Sequence, residues 1–284
     1  MPAEQGAAAE ATLMSGQRVR TRLLAGERLA GAWLSLGSSI AAEIAAGAGF
    51  DWLLFDLEHG TSEYSELLYQ LQAISAFPTA SIVRVPAIDA SIFKRILDLG
   101  AHGLMIPQVA SAEQARLCVD FARIPPQGIR GAAQTTRASG YGLHYEQYLR
   151  DANSAIILLA QIESRQGVAN ADAIAAVNGI DALFVGPTDL GVDLGTSLKD
   201  PDGEFRASIL AVADAAKRHG KAAGVLVRNL EQARGYAELG YSVIALGSDR
   251  GLIASGMRAN VAALGGLHVA RAQPNLKAVS KVAL

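Results

Sequence analysis

Cysteine is nearly missing from this chain. Cys118 stands alone, so no internal disulfide can form, and its setting in the helical pattern EQARLCVDFA suits a reducing, cytoplasmic compartment. Aromatic residues are also few, 6%, and there is no basic run; with a formal net charge of −2 the sequence offers no electrostatic footprint for nucleic acid. No stretch approaches the ~18 consecutive apolar residues needed to cross a bilayer, so no membrane partner is expected. Residues 1–14, MPAEQGAAAEATLM, have no positively charged start leading into an apolar core and read as a mobile extension rather than a secretory signal. Charged residues make up only 18% against 50% hydrophobic. Over 284 residues that is enough apolar material for one large core, and a single barrel of about 250 residues accommodates it.

What the chain does contain is organised around residues 155–189. The apolar run Ala155–Ile162 breaks off into Gln161, Glu163, Ser164 and Arg165, and a second run, Ala182–Val185, breaks off into Gly186, Pro187, Thr188 and Asp189. Both read as buried strands. Between them Asn170–Val177 carries alanine, isoleucine and valine at helical spacing, which makes the segment strand, helix, strand, the unit of a parallel sheet.

The same alternation runs through the chain. Strands are predicted at Gly31–Leu36, Trp52–Leu57, Ser81–Val85, Gly103–Pro107, Ala222–Val227 and Ser242–Leu246. Helices are predicted at Ser38–Ala46, Glu63–Ala76, Ala90–Leu99, Ala112–Ala122, Asp202–His219 and Glu231–Leu239, with a last one from near Leu252. Residues 123–142 form the one long irregular piece. Eight strands alternating with helices predict an α/β fold, a single (β/α)₈ TIM barrel over residues 17–266 between an extension, 1–16, and a tail, 267–284. A doubly wound sheet should show G-x-G-x-x-G after its first strand, and GAWLSLGSS does not.

Sites of such barrels lie at the carboxyl ends of the strands, and the polar residues cluster there: Asp56, Glu58 and His59, Arg84, Gln108, Gln161 and Glu163, Asp189, and Asp249. Two acids on one rim, Glu163 and Asp189, suit a hard divalent cation; equally, Glu163 can cap a helix and Asp189 can be a turn residue. His59 is a candidate general base. Arg84 interrupts the apolar strand SIVRVP and needs an anion, either a carboxylate of the protein or a substrate. Gly186-Pro187-Thr188-Asp189 offers backbone N–H groups suited to a substrate carboxylate. Asp98 has the ordinary position of a helix-end acid. Lys94, Lys217 and Lys221 fall in helices or at the amino end of a strand, and Lys199, Lys277 and Lys281 in loops or tail, which argues against a Schiff-base lysine.

Taken together, GAWLSL, AEIAAGAGFDWLLFDLEHG, VRVP, ILDLGAHGLMIPQV, PPQGIRG, QIES, GIDALFVGPTDLGVDLG and ALGSD resemble the HpcH/HpaI aldolase family of class II, metal-dependent pyruvate aldolases, over about Gly31 to Gly256. The resemblance implies a (β/α)₈ barrel whose last helix packs onto a neighbouring subunit, in a hexamer built as a trimer of dimers. It implies a divalent metal, Mg²⁺, Mn²⁺ or Co²⁺, on Glu163 and Asp189. His59 is then the proton acceptor, Asp98 the acid that raises its basicity, and Arg84 the stabiliser of the developing oxyanion. Gln161, Gly186, Pro187, Thr188 and Asp189 hold the pyruvate end of the substrate, with Asp56 and Glu58 behind them. The implied reaction is reversible cleavage of a 4-hydroxy-2-oxo acid to pyruvate and an aldehyde through a metal-stabilised enolate. Leu57, Gln108 and Thr188 stand where glycine, methionine and alanine are frequent. The rival is another pyruvate-enolate lyase on the same barrel, citramalyl- or malyl-CoA lyase-like or macrophomate synthase-like. A CoA enzyme calls for basic residues at the pocket rim, for which Arg137 is the evident candidate.

Overall fold

The structure is a computed structural model that describes residues 16–195 and 203–265. Of the expected extension only Gly16 falls among them, and the tail lies outside. The strands are β1 (Leu29–Leu34), β2 (Trp52–Asp56), β3 (Ala80–Arg84), β4 (Gly103–Ile106), β5 (Ile157–Ile162), β6 (Ala182–Val185), β7 (Ala222–Val227) and β8 (Val243–Ser248). All pair in parallel with their sequence neighbours, and β8 returns to β1, closing the barrel that the alternation predicts. The helices are α1 (16–24), α2 (Ser39–Gly47), α3 (Tyr64–Ala73), α4 (Ala90–Asp98), α5 (Ala112–Ala122), α6 (Tyr145–Ala155), α7 (Arg165–Ala169), α8 (Ala171–Ala175), α9 (Pro187–Leu194), α10 (Glu204–Arg218), α11 (Leu230–Glu238) and α12 (Asp249–Leu264).

Successive strand residues point to opposite faces, and this period of two sorts the chain into two cores. Outward positions such as Leu53, Phe55, Val83, Leu104, Leu158 and Leu183 pack under the helices, while Trp52, Leu54, Ile82, Met105, Leu159 and Phe184 fill the barrel itself. Continuing the inward set by two residues places Asp56 above Leu54, Arg84 above Ile82, and Gln161 then Glu163 above Leu159. The apolar plug thus ends in a polar layer at the carboxyl rim.

Three sequence expectations are corrected. The helix expected at 170–177 is the shorter α8, and a second short helix, α7, precedes it; the two meet at Asn170, whose side-chain amide is spent on the carbonyl of Ala110. The long irregular piece contains a 3₁₀ turn, Arg137–Ser139, and is followed by α6, which the sequence hides because YEQYLRDANSA buries only Tyr148, Ala152 and Ala155. β5 accordingly starts at Ile157 and not Ala155. Finally, α12 begins at Asp249 rather than near Leu252.

Asp249 closes the barrel body, and the residues from Arg250 form a second unit. Its carboxylate accepts from the backbone N–H groups of Ser35 and Leu36 and from Ser35 Oγ, at 3.0–3.2 Å, so this rim acid is spent on tying the chain after β1 to β8. In α12 the apolar residues Leu252, Ile253, Met257, Val261 and Leu264 are exposed. Cys118 is buried in α5, and burial pushes its thiol up to about 12, which makes it inert as a nucleophile.

Candidate active site

Arg84 anchors the polar layer. It is 6% exposed, and its register partner across the sheet is Asp56. Its Nε and Nη2 donate to the two oxygens of Asp56 at 2.9 and 2.6 Å, while Nη1 lies 2.9 Å from Glu58 Oε2. The anionic partner that the sequence demands is therefore supplied from within. Asp56 also accepts from the backbone N–H groups of Glu58 and His59, at 3.1 and 3.2 Å. Burial pushes the Asp56 carboxyl up, but the hydrogen bond and charge of Arg84 outweigh it and hold the group below the usual carboxylate range. The turn that displays His59 is thus built on the same carboxylate that orients Arg84. His59 itself is exposed at the rim, its Nε2 4.0 Å from Glu58 Oε2.

Across the barrel stands Glu163, 5% exposed just beyond β5. Its Oε1 accepts from the backbone N–H of Gln108 at 2.7 Å and its Oε2 from Gln161 Nε2 at 2.6 Å. To aim that N–H, Gln108 takes the left-handed conformation, φ 54°, a cost that non-glycine residues bear mainly where a site requires it. Burial raises the Glu163 carboxyl to about 7, and the charges of Asp189 and Glu58 add to the rise, while the Gln108 N–H and Arg84 oppose it. Glu163 and Asp189 thus feel each other's charge across Gly186. Gly186 leaves no room for a side chain: a Cβ there would lie 2.4 Å from Glu163 Oε2 and 2.8 Å from Gln161 Nε2. Gly186→Ala should therefore dislodge both groups and cut turnover at least ~10²-fold in a fold that circular dichroism shows intact; near-normal activity would show that Glu163 is not confined as described.

α9 starts at Pro187, the residue type best suited to a first helical position, and so opens the N–H groups of Thr188 and Asp189 toward the rim. A cavity of about 260 Å³ lies here, lined by His59, Arg84, Gln161 and Gly186 to Asp189. Trp33, Phe184 and Leu226 complete its wall, residues that the sequence reading passes over although each occupies an inward strand position two residues from another. Gln161 is 2% exposed, and among the described residues its Oε1 has no hydrogen-bond partner.

Two expected residues fall elsewhere. α4 runs back from the carboxyl end of β3 to the amino end of β4, so Asp98, its last residue, sits at the end of the barrel opposite His59. There it faces Arg130, 3.8 Å away. Arg137 donates to the carbonyls of Leu99 and Leu71 and likewise belongs to that end, away from the pocket rim of its own chain.

The family model for HpcH/HpaI aldolase/citrate lyase matches residues 29–256, the whole barrel. The chain belongs to this family. Among HpcH/HpaI relatives, the hydroxypyruvate/pyruvate aldolase of Deinococcus radiodurans is 43% identical over 239 residues, 83% of this chain and 85% of that protein. The 4-hydroxy-2-oxo-heptane-1,7-dioate aldolase of Klebsiella pneumoniae is 40% identical over 237 residues, covering 84% and 89%. A crystal structure of an HpcH/HpaI aldolase/citrate lyase family protein from Burkholderia cenocepacia superposes with a TM-score of 0.83 at 37% identity, covering 89% of this chain and all of that one. The chain is accordingly a lyase of the HpcH/HpaI aldolase type.

Proposed function

We propose that the protein is a divalent-metal-dependent aldolase that reversibly cleaves a 4-hydroxy-2-oxo acid into pyruvate and an aldehyde. The observation that carries the reading is the Glu163 carboxylate, buried within reach of the charge of Asp189, while the guanidinium that opposes its rise, Arg84, is taken up by Asp56 and Glu58. A carboxyl whose ionisation is this disfavoured fits a hard cation, and Glu163 with Asp189 would hold it. Among the described residues no group of three or more His, Cys, Asp or Glu side chains is placed to hold a metal. A two-carboxylate set suits Mg²⁺, Mn²⁺ or Co²⁺, which leave coordination positions to water and substrate. When bound, the cation supplies Lewis acidity toward the 2-keto oxygen.

The chain's own residues do the rest. The N–H groups of Thr188 and Asp189 at the start of α9 hold the substrate carboxylate, and Gln161, with Gly186 and Pro187, fixes the keto-acid plane. His59 takes the proton of the C4 hydroxyl as the C3–C4 bond breaks. The electron pair moves toward the keto oxygen, and Arg84 offers that oxygen the N–H groups it does not spend on Asp56 and Glu58. In the reverse direction His59 returns the proton.

Asp98 can support His59 only from another copy of the chain, because one barrel holds the two at opposite ends. We therefore propose a closed oligomer, a hexamer as a trimer of dimers, for which the exposed apolar side chains of α12 supply contact surface. No helix among the described residues is long and apolar enough to cross a membrane, and the free, buried Cys118 agrees with a cytoplasmic setting. The placement of Arg137 takes from the CoA-lyase reading its basic rim residue.

The test is pyruvate release from 4-hydroxy-2-oxo acids and, side by side, from acyl-CoA substrates. We expect release from the free acids that stops on chelation and returns with Mg²⁺, Mn²⁺ or Co²⁺, and its loss in Asp189→Asn. Full activity after chelation, or activity on thioesters alone, would overturn the proposal.

A further inference from the structure

Trp33 takes no proton and holds no substrate atom, yet it touches both members of the Asp56–Arg84 pair. It is the inward residue near the carboxyl end of β1 and is 5% exposed. Its indole Nε1 donates to Asp56 Oδ2 at 3.1 Å, the oxygen that also receives Arg84 Nη2. The face of the same ring lies under Arg84, with the guanidinium carbon 4.9 Å from the ring centroid. Behind it the ring leans on Phe184, 6.0 Å between centroids.

The Asp56 carboxylate takes two donors from Arg84 and two backbone N–H groups, those of Glu58 and His59. These four all belong to the groups being positioned and could rotate or slide together. Trp33 is the remaining donor, and it comes from a different strand whose side chain is packed into the barrel plug. An indole N–H also has no acceptor character, so it can bond only to the carboxylate and fixes which oxygen faces β1. A ring that served only as a wall of the cavity would not need its nitrogen directed at a buried anion.

We propose that Trp33 is a positioning residue: through Asp56 it sets the angle of the Arg84 guanidinium and the height of the His59 turn. The role rests on the aldolase reading for its kinetic consequence but not for its structural one. Trp33→Phe removes the N–H and leaves a smaller ring between Phe184 and Arg84; β-(3-benzothienyl)alanine at position 33 removes only the N–H from a ring of the same size. We expect kcat on a 4-hydroxy-2-oxo acid to fall ~10-fold or more in both, the scale for losing a residue that orients another, with KM within ~2-fold. In an Asp56→Ala background the same change at 33 should cost less than ~2-fold, because the acceptor it acts through is gone.

A readout independent of turnover comes from the indole N–H resonances. The chain has two tryptophans, and the other, Trp52, keeps its Nε1 buried without a partner among the described residues. The spectrum should show two indole cross-peaks, the Trp33 proton well downfield of that of Trp52, and Asp56→Ala should move the first upfield and leave the second. Wild-type kcat in both position-33 variants, an equal loss with and without Asp56, or a Trp33 resonance indifferent to Asp56→Ala would each overturn the proposal. If the wild-type protein releases no pyruvate, the aldolase reading falls while the resonance test of the Trp33–Asp56 link still decides the inference.

Discussion

Glu163→Gln should abolish metal-dependent turnover, a loss of ~10³-fold or more, and at the same time stabilise the metal-free protein at alkaline pH. The first effect follows from removing one of two charged ligands. The second follows from burial: the ordinary value for a glutamate carboxyl is 4.5, and here it stands at about 7. Between those values the folded chain keeps a proton that the unfolded chain has released, so stability falls as pH rises through the window and stays low above it. By pH 8 the cost is about 3 kcal/mol, from ~1.4 kcal/mol per tenfold step. Glutamine is neutral at every pH. It can still accept from the Gln108 N–H, and Gln161 has only to turn its amide over to accept from the new side-chain N–H.

Thermal unfolding in the presence of chelator should therefore show Glu163→Gln melting roughly 5 °C above wild type at pH 8, with the gap closing toward pH 5. Added Mg²⁺ or Mn²⁺ should reverse the order by stabilising wild type alone. A variant that melts no higher than wild type at pH 8 without metal would show that Glu163 is not the strained acid of this site.

Arg84→Ala should produce the other large effect, on rate and on stability together. The guanidinium carries five N–H groups, and three are engaged by Asp56 and Glu58, which leaves two for the oxygen on which charge develops. Losing such a donor costs ~10²- to 10³-fold in kcat. Because Asp56 is buried and Glu58 nearly so, removing their shared cation also strands two carboxylates, a destabilisation of about 3–5 kcal/mol. Arg84→Lys should separate the two effects. It restores a charge to the layer but cannot span Asp56 in a two-pronged contact while reaching Glu58, so stability should recover more than rate. Steady-state kinetics and denaturant unfolding on both variants check this; an Arg84→Ala enzyme within ~3-fold of wild type would remove Arg84 from the chemistry.

The sequence makes the barrel legible because parallel strands buried on both faces appear as short apolar runs, and each run here ends in a polar residue where the rim begins. Its carboxylates and Arg84 are legible for the same reason: a charge at the end of such a run has few places to go. Trp33, Phe184 and Leu226 escape because an inward aromatic or leucine is indistinguishable, residue by residue, from core. Only the alternation carried through to the rim separates them. Asp98 shows the opposite failure, since its place in a motif says nothing about which end of the barrel a helix terminus occupies. Asp249 looks like a site acid in the sequence and proves to be a brace, because its partners are backbone N–H groups 213 and 214 residues away.

The grip on Glu163 comes from the backbone of Gln108, and the side chain at that position takes no part in it. The side chain at position 108 can therefore be exchanged without loosening Glu163, provided the replacement enters a positive φ without strain. Glycine and asparagine qualify and the β-branched residues do not. What position 108 tolerates is thus decided by backbone conformation rather than by side-chain chemistry.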